Sequence, residues 1–191
     1  MNSKENPIEK SINENLETIN HLKDISSEIL KVSEVLKKLI KNDGHLFVCG
    51  NGGSAADSQH IVGEFRGHFE KERKPLRASA LSVDTSTITA IGNDYGFEHI
   101  FSRQVEALAK PNDVLIAIST SGNSRNILEA TKVAKKIGLI TIGLTGKTGG
   151  QLAKTADHVL KVPSNRTPRI QEGHELILHI LIEMIDDEID Q

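Results

Sequence analysis

Apolar residues recur at helical spacing between residues 10 and 41. Ile12, Leu16 and Ile19 form one stripe; Ile25, Ile29, Val32, Leu36, Leu39 and Ile40 form a second. The polar pair Lys23-Asp24 between them predicts a bend or break, and Asn42-Asp43-Gly44 predicts the helix end. Stripes this long need a surface to cover, either the face of a sheet or a second subunit. From His45 the pattern changes. Residues 45–49, 77–81, 113–118, 139–144 and 158–162 are short apolar runs of strand length. Between them, residues 55–69, 85–91, 97–109, 125–137, 151–155 and 169–188 carry helical patterns, and Gly92-Asn93-Asp94-Tyr95-Gly96 predicts a turn-rich loop. Strands alternating with helices predict a parallel sheet covered on both faces. The expectation is one α/β domain over residues 1–191, with N-terminal helices to about residue 42 and an α/β core from 43. In such a sheet, ligands sit beyond the carboxyl ends of the strands, at the switch point.

Composition narrows the classes. Aromatic residues are only 3% of the chain, so the core must be aliphatic. A formal charge of −3 gives no basic field of the kind that nucleic acid requires. The single cysteine, Cys49, excludes an internal disulfide, fits a reducing compartment and reads as core. The polar N-terminus and the absence of an apolar run near the ~20 residues of a membrane span predict a soluble, cytoplasmic protein with no membrane partner.

The chemistry concentrates in two loops and two helices. Gly50-Asn51-Gly52-Gly53-Ser54 follows the first strand and opens a helix, with Ser54 placed to cap it. Glycines there let a ligand touch the backbone, and the helix start favours an anion. Gly50-x-Gly52-x-x-Ala55 matches a dinucleotide fingerprint, but its acidic partner is wanted about 20 residues on. Asp84, the nearest candidate, comes about 30 residues on. Gly146-Lys147-Thr148 resembles the end of a P-loop, yet the required first glycine would fall at Thr141. Ser119-Thr120-Ser121-Gly122-Asn123-Ser124 crowds hydroxyls between a strand and a helix start. One hydroxyl suffices for a cap, so a phosphate site is favoured over an ordinary serine-rich turn. No lysine lies in this loop, which points to a compact sugar phosphate more than a nucleoside triphosphate.

On the helices, His60, Glu64 and His68 follow a four-residue rhythm, as do Gln171, Glu175 and His179. A lone helical histidine is usually a surface or capping residue; two helices each offering nitrogen and oxygen donors leave a metal equally open. Zinc or another borderline divalent ion would suit His60, Glu64, Gln171 and His179.

Together these stretches, with Gly92-Asn93-Asp94 and Arg169-Ile170-Gln171-Glu172, resemble the phosphoheptose isomerases of the sugar isomerase (SIS) domain family. The resemblance spans nearly the whole chain. It implies a flavodoxin-like parallel sheet of five strands, and a homotetramer with sites at subunit interfaces. It implies conversion of sedoheptulose 7-phosphate to glycero-manno-heptose 7-phosphate. Asn51, Gly52, Gly53, Asn93, Asp94, Ser119, Thr120, Ser121 and Ser124 would then hold substrate, with Glu64 and Gln171 beside it. Glu64 and His179 would be the acid/base pair, and His60, Glu64, Gln171 and His179 the zinc ligands. Pro168 stands at a position that varies among these proteins. The rival expectation is a non-catalytic SIS protein that binds a replication initiator or senses a sugar phosphate. Neither rival needs Glu64 and His179 together.

Overall fold

The computed structural model describes residues 6–189. Helix α1 (Pro7–Asn20) runs through a 3₁₀ turn (His21–Ile25) into α2 (Ser26–Lys41), so the break falls at Lys23-Asp24. The core follows as β1 (Leu46–Cys49), α3 (Gly53–Arg66), β2 (Ala78–Ala80), α4 (Thr85–Tyr95) and α5 (Ser102–Leu108). It continues with β3 (Val114–Ile118), α6 (Arg125–Ile137), β4 (Ile140–Thr145), α7 (Leu152–Thr155), β5 (His158–Lys161) and α8 (Thr167–Ile189). All neighbouring strands pair in parallel, in the order β2-β1-β3-β4-β5. This is the flavodoxin-like order, and the chain reverses direction between β1 and β3. The loops leaving β1 and β3 therefore open side by side.

Alternation along the strands builds two cores. Leu46, Val48, Val114, Ile116, Ile118, Ile142 and Leu144 face one layer, where they meet Val32 and Leu36 of α2, Phe65 of α3 and Ile177 and Leu181 of α8. Phe47, Cys49, Leu115 and Ala117 face the other, against Phe101, Val105, Ile127 and Ala130. Cys49 is fully buried, and burial pushes its thiol up. His174 of α8 is buried too and held down to about 4 by loss of water, with its Nε2 donating to the Thr145 carbonyl at 3.2 Å. Neutral imidazole thus fastens α8 to the end of β4.

The two N-terminal helices divide the choice between sheet and subunit. Helix α2 buries its stripe on the sheet. Helix α1 is tethered to α8 by polar contacts: Arg169 donates to the Ser11 carbonyl, Arg166 pairs with Glu14, and Asn15 donates to Glu172 at 2.7 Å. Its Ile8, Ile12 and Leu16 remain open, at 68%, 53% and 54% exposure.

Two local expectations need correction. Gly92, Asn93 and Asp94 do not form a loop; they complete α4, which is capped at its start by Asp84 accepting from the Thr87 N–H at 3.0 Å and ends at Gly96, φ +95°. A strong cap and an exposed surface carry the helix through residues that favour turns. Helix α3 ends at Arg66, so His68 falls outside the rhythm of His60 and Glu64. No helix among the described residues is long and apolar enough to cross a membrane.

Candidate active site

The loop after β1 is a tight backbone turn. A Cβ at Gly50 would lie 2.3 Å from the Ser54 carbonyl oxygen, and Gly52 sits at φ +56°. Gly52, not Ser54, occupies the cap position of α3, with no side-chain cap. Ser54 is instead buried in the first turn, where its carbonyl accepts from the Ser58 hydroxyl at 2.7 Å. Asn51 reaches across to α6: its Nδ2 donates to Asn126 Oδ1 at 3.0 Å, and Asn126 Nδ2 donates back at 2.8 Å.

The loop after β3 keeps its hydroxyls close together. Ser119 and Ser124 oxygens lie 3.0 Å apart, and Ser121 Oγ accepts from the Asn123 N–H at 3.1 Å. Ser124 occupies the cap position of α6 but its side chain makes no capping bond. Its hydroxyl is not spent on the helix, which is the condition a ligand needs. The bonds from Asn51 to Asn126 tie this loop's helix to the loop after β1.

Helices α3 and α8 bring imidazoles and carboxylates together. His60 Nε2 lies 3.2 Å from Glu64 on its own helix, while His60 Nδ1 contacts Glu175 of α8. His179 Nε2 lies 3.4 Å from the same Glu175 oxygen, and the two imidazole centres are 5.1 Å apart, edge to face. Ligand atoms of His60, Glu175 and His179 all fall within 4.8 Å of one another, so two nitrogens and an oxygen can meet one ion. Glu175 belongs to this cluster although its place on the periodic face of α8 did not single it out as a donor. Gln171 sits toward the start of α8, its amide so close to Gly53 that a Cβ there would lie 2.4 Å from Nε2. Phe69 stacks on His179 at 5.2 Å. Asp57, a turn before His60, is a further acidic group: burial first, and then the Glu175 charge, raise it to about 6.

A buried clamp holds the two helices in register. Arg73, whose side chain is 2% exposed, bonds Asp186 of α8 at 2.6 Å. The same guanidinium donates to the carbonyls of Glu64 at 2.7 Å and Phe65 at 3.1 Å, at the end of α3. It thereby satisfies helix-end carbonyls and puts positive charge at the negative end of the dipole.

Asn93 and Asp94 lie on the exposed part of α4, where Asn93 donates to Asp94 at 2.8 Å. Among the described hydrogen bonds, neither reaches the loops or the helix cluster. Of the other resemblance motif, Arg169 and Glu172 anchor α1, and Ile170 is core.

This arrangement, an α/β sheet with a hydroxyl-rich loop at its carboxyl edge and a His/Glu cluster between α3 and α8, is that of a domain for handling a phosphorylated small molecule. The family model described as "SIS domain" matches residues 10–146. Phosphoheptose isomerase 1 of Campylobacter jejuni is 51% identical over 182 residues, which cover 95% of this chain and 98% of the relative. The phosphoheptose isomerase of Helicobacter hepaticus is 50% identical over 181 residues, 95% of this chain and 92% of that one. The solved phosphoheptose isomerase of Neisseria gonorrhoeae superposes with a TM-score of 0.89 at 42% identity, covering 94% of this chain and 97% of its own. The chain belongs to the SIS-domain family and, within it, to the phosphoheptose isomerases.

Proposed function

We propose that this protein converts sedoheptulose 7-phosphate to glycero-manno-heptose 7-phosphate by proton transfer through an enediol. The observation that carries the reading is the convergence of Glu64 and His179, from two helices, on the same His60. Relatives at about half identity over nearly the whole chain supply the substrate class.

Moving the carbonyl from C2 to C1 needs a base to take a proton from C1 and a route to return one to C2. Glu64 is assigned the carbon proton, because a carboxylate shielded by bound sugar is a competent base. His179 exchanges protons with the sugar oxygens, a role suited to an imidazole whose unperturbed pKa lies near 6.5. Ser119, Thr120, Ser121 and Ser124 hold the phosphate, while Asn51, Gly52, Gly53 and Gln171 line the sugar. Asn93 and Asp94 are assigned to substrate as well, and their separation within one chain fits a site completed by a second copy.

The donor chemistry fits a divalent ion such as zinc, with His60, Glu64, Gln171 and His179 as its holders. Glu175 lies within reach of the same ion as His60 and His179, and in this reading its carboxylate instead orients His60, meeting Nδ1 and leaving Nε2 turned toward Glu64. When bound, the ion would polarise the sugar carbonyl. Assembly as a homotetramer, with sites at subunit interfaces, would also cover Ile8, Ile12 and Leu16 of α1.

The direct test is aldose formation from sedoheptulose 7-phosphate by the pure protein, followed in a coupled assay. Failure to form aldose at any metal loading would sink the reading. Light scattering at micromolar concentration should give a multimer of four chains, and a monomer would remove the shared site. Chelation should lower turnover; full activity in metal-free protein would leave Glu64 and His179 standing and remove the ion from the mechanism.

A further inference from the structure

The Gly146-Lys147-Thr148 turn fails as a nucleotide loop by its spacing, yet the fold puts it against the serine loop. Gly146 donates its N–H to the Thr120 carbonyl at 3.0 Å, and Lys147 donates its backbone N–H to the Ser164 carbonyl at 3.0 Å. The loops leaving β3, β4 and β5 are thus fastened together by backbone. The fit leaves no room for side chains. A Cβ on Gly146 would lie 2.8 Å from the Thr120 oxygen and 2.5 Å from Ile170. One on Gly150 would lie 2.5 Å from the Ser121 oxygen, and one on Gly122 only 2.1 Å from the Gly149 oxygen. Leu152 N–H closes the junction on the Gly122 carbonyl at 2.9 Å. Lys147 therefore rides on a rigid mount beside the serine loop.

Between these loops lies a cavity of about 300 Å³. Thr120, Ser121, Thr148, Ser164 and Asn165 line it with hydroxyl and amide groups, and Lys147 is its one charged residue. No carboxylate faces it, and no described residue pairs with the Lys147 ammonium. A hydroxyl-rich wall with one uncompensated cation is chemically matched to an oxyanion. The serine loop itself brings no cation to a group that carries close to two negative charges at neutral pH.

We propose that Lys147 completes the phosphate site from the neighbouring strand end, neutralising the sugar phosphate that the serine loop holds by hydrogen bonds. This rests on the serine loop being the phosphate site. Lys147 acts on binding and specificity for the phosphorylated substrate and takes no part in proton transfer. Its charge explains how a loop without lysine can select a phosphorylated sugar over the free one.

The test compares Lys147→Gln, Lys147→Arg and Ser121→Ala in the full-length protein. Sedoheptulose 7-phosphate serves as substrate and inorganic phosphate as the competing anion. Lys147→Gln should raise KM about tenfold or more, with a smaller fall in kcat, and weaken inhibition by inorganic phosphate to a similar extent. Lys147→Arg should restore most of both, since the charge returns. Wild-type KM should also climb with salt more steeply than that of Lys147→Gln, because the screened charge is gone from the variant. A merely structural lysine would not move the salt slope. If Ser121→Ala weakens phosphate inhibition while Lys147→Gln leaves it within twofold, the serine loop stands and the role of Lys147 is overturned. If neither variant alters phosphate inhibition, the phosphate is bound elsewhere and both assignments fall together.

Discussion

The two ends of the candidate site are built from different materials. At the loop end, glycine backbones from β3 and β4 press against each other, and the hydroxyls hang from that frame. At the helix end, long side chains of α3 and α8 meet across a gap, and a buried Arg73–Asp186 pair keeps those helices in place. A frame made of backbone fails when a side chain is added to it. A cluster made of side chains fails when a functional group is removed, and the fold can survive the loss. The loop end should thus tie binding to stability, whereas the helix end should separate chemistry from stability everywhere except at its clamp.

The clamp gives the largest expected effect. Arg73→Met leaves Asp186 buried without its partner and strips the cation from the end of α3. Removing one member of a buried pair typically costs about 3–5 kcal/mol. Urea denaturation should show a loss of that order, and Arg73→Met/Asp186→Leu should recover much of it by replacing charge with apolar contact. A loss under about 1 kcal/mol in the single variant would mean that the pair does not hold the helices.

His179→Gln probes the other half of the contrast. The substitution keeps a polar group of similar length but supplies no acid near neutral pH. Turnover should fall by at least ~100-fold, the low end for a positioned acid or base. Thermal stability and calorimetric affinity for the sugar phosphate should change far less. Near-normal turnover would withdraw the role given to His179.

Gly122→Ala tests the loop end. Gly122 sits at φ +65°, and its new Cβ would meet the Gly149 carbonyl. Left-handed backbone alone costs an L-residue about 1–2 kcal/mol, before the two loops are forced apart. Stability and substrate affinity should fall together, by about 2 kcal/mol or more in stability. Loss of affinity with unchanged stability would show that the loop end is not a backbone frame.

The same contrast explains what could be read from the chain before its fold was known. Short apolar runs located all five strands, because a parallel sheet buries both of its faces, and a period of 3.6 located the main helices that pack on it. Hydroxyls crowded at a strand end marked the serine loop. Its support was not legible: Gly149 and Gly150 meet Ser121 and Gly122 only after two strands have paired. Glu175 lay on the periodic face of α8, but spacing along one helix does not tell which position faces His60 on another. Ser54 was misplaced as a cap because Gly52, at positive φ, starts α3 two residues earlier. The α4 residues Gly92, Asn93 and Asp94 follow turn statistics in isolation and helix geometry once Asp84 caps the segment.

The smallest effect belongs to the joint between the two ends. Asn126 Oδ1 accepts from the Ile127 N–H at 3.0 Å, and an N–H can only donate, so this amide has one orientation. That in turn fixes the Asn51 amide, which donates to the same oxygen and accepts from Asn126 Nδ2. Asn51 lies between Gly50 and Gly52 of the β1 loop, and Asn126 lies in the first turn of α6, so the pair transmits position from one loop to the other. Asn126→Ala removes both bonds and leaves the Asn51 amide to water or to the substrate. Ordinary hydrogen bonds contribute about 0.5–1.5 kcal/mol each, so KM should rise by less than about tenfold while kcat falls little. Asn51→Ala, which removes the same bonds, should add little further harm on top of Asn126→Ala. A double-mutant cycle for thermal stability should therefore give a coupling of about 1 kcal/mol. Fully additive losses would mean that the two loops are positioned independently, and that backbone contacts within each loop suffice to place it.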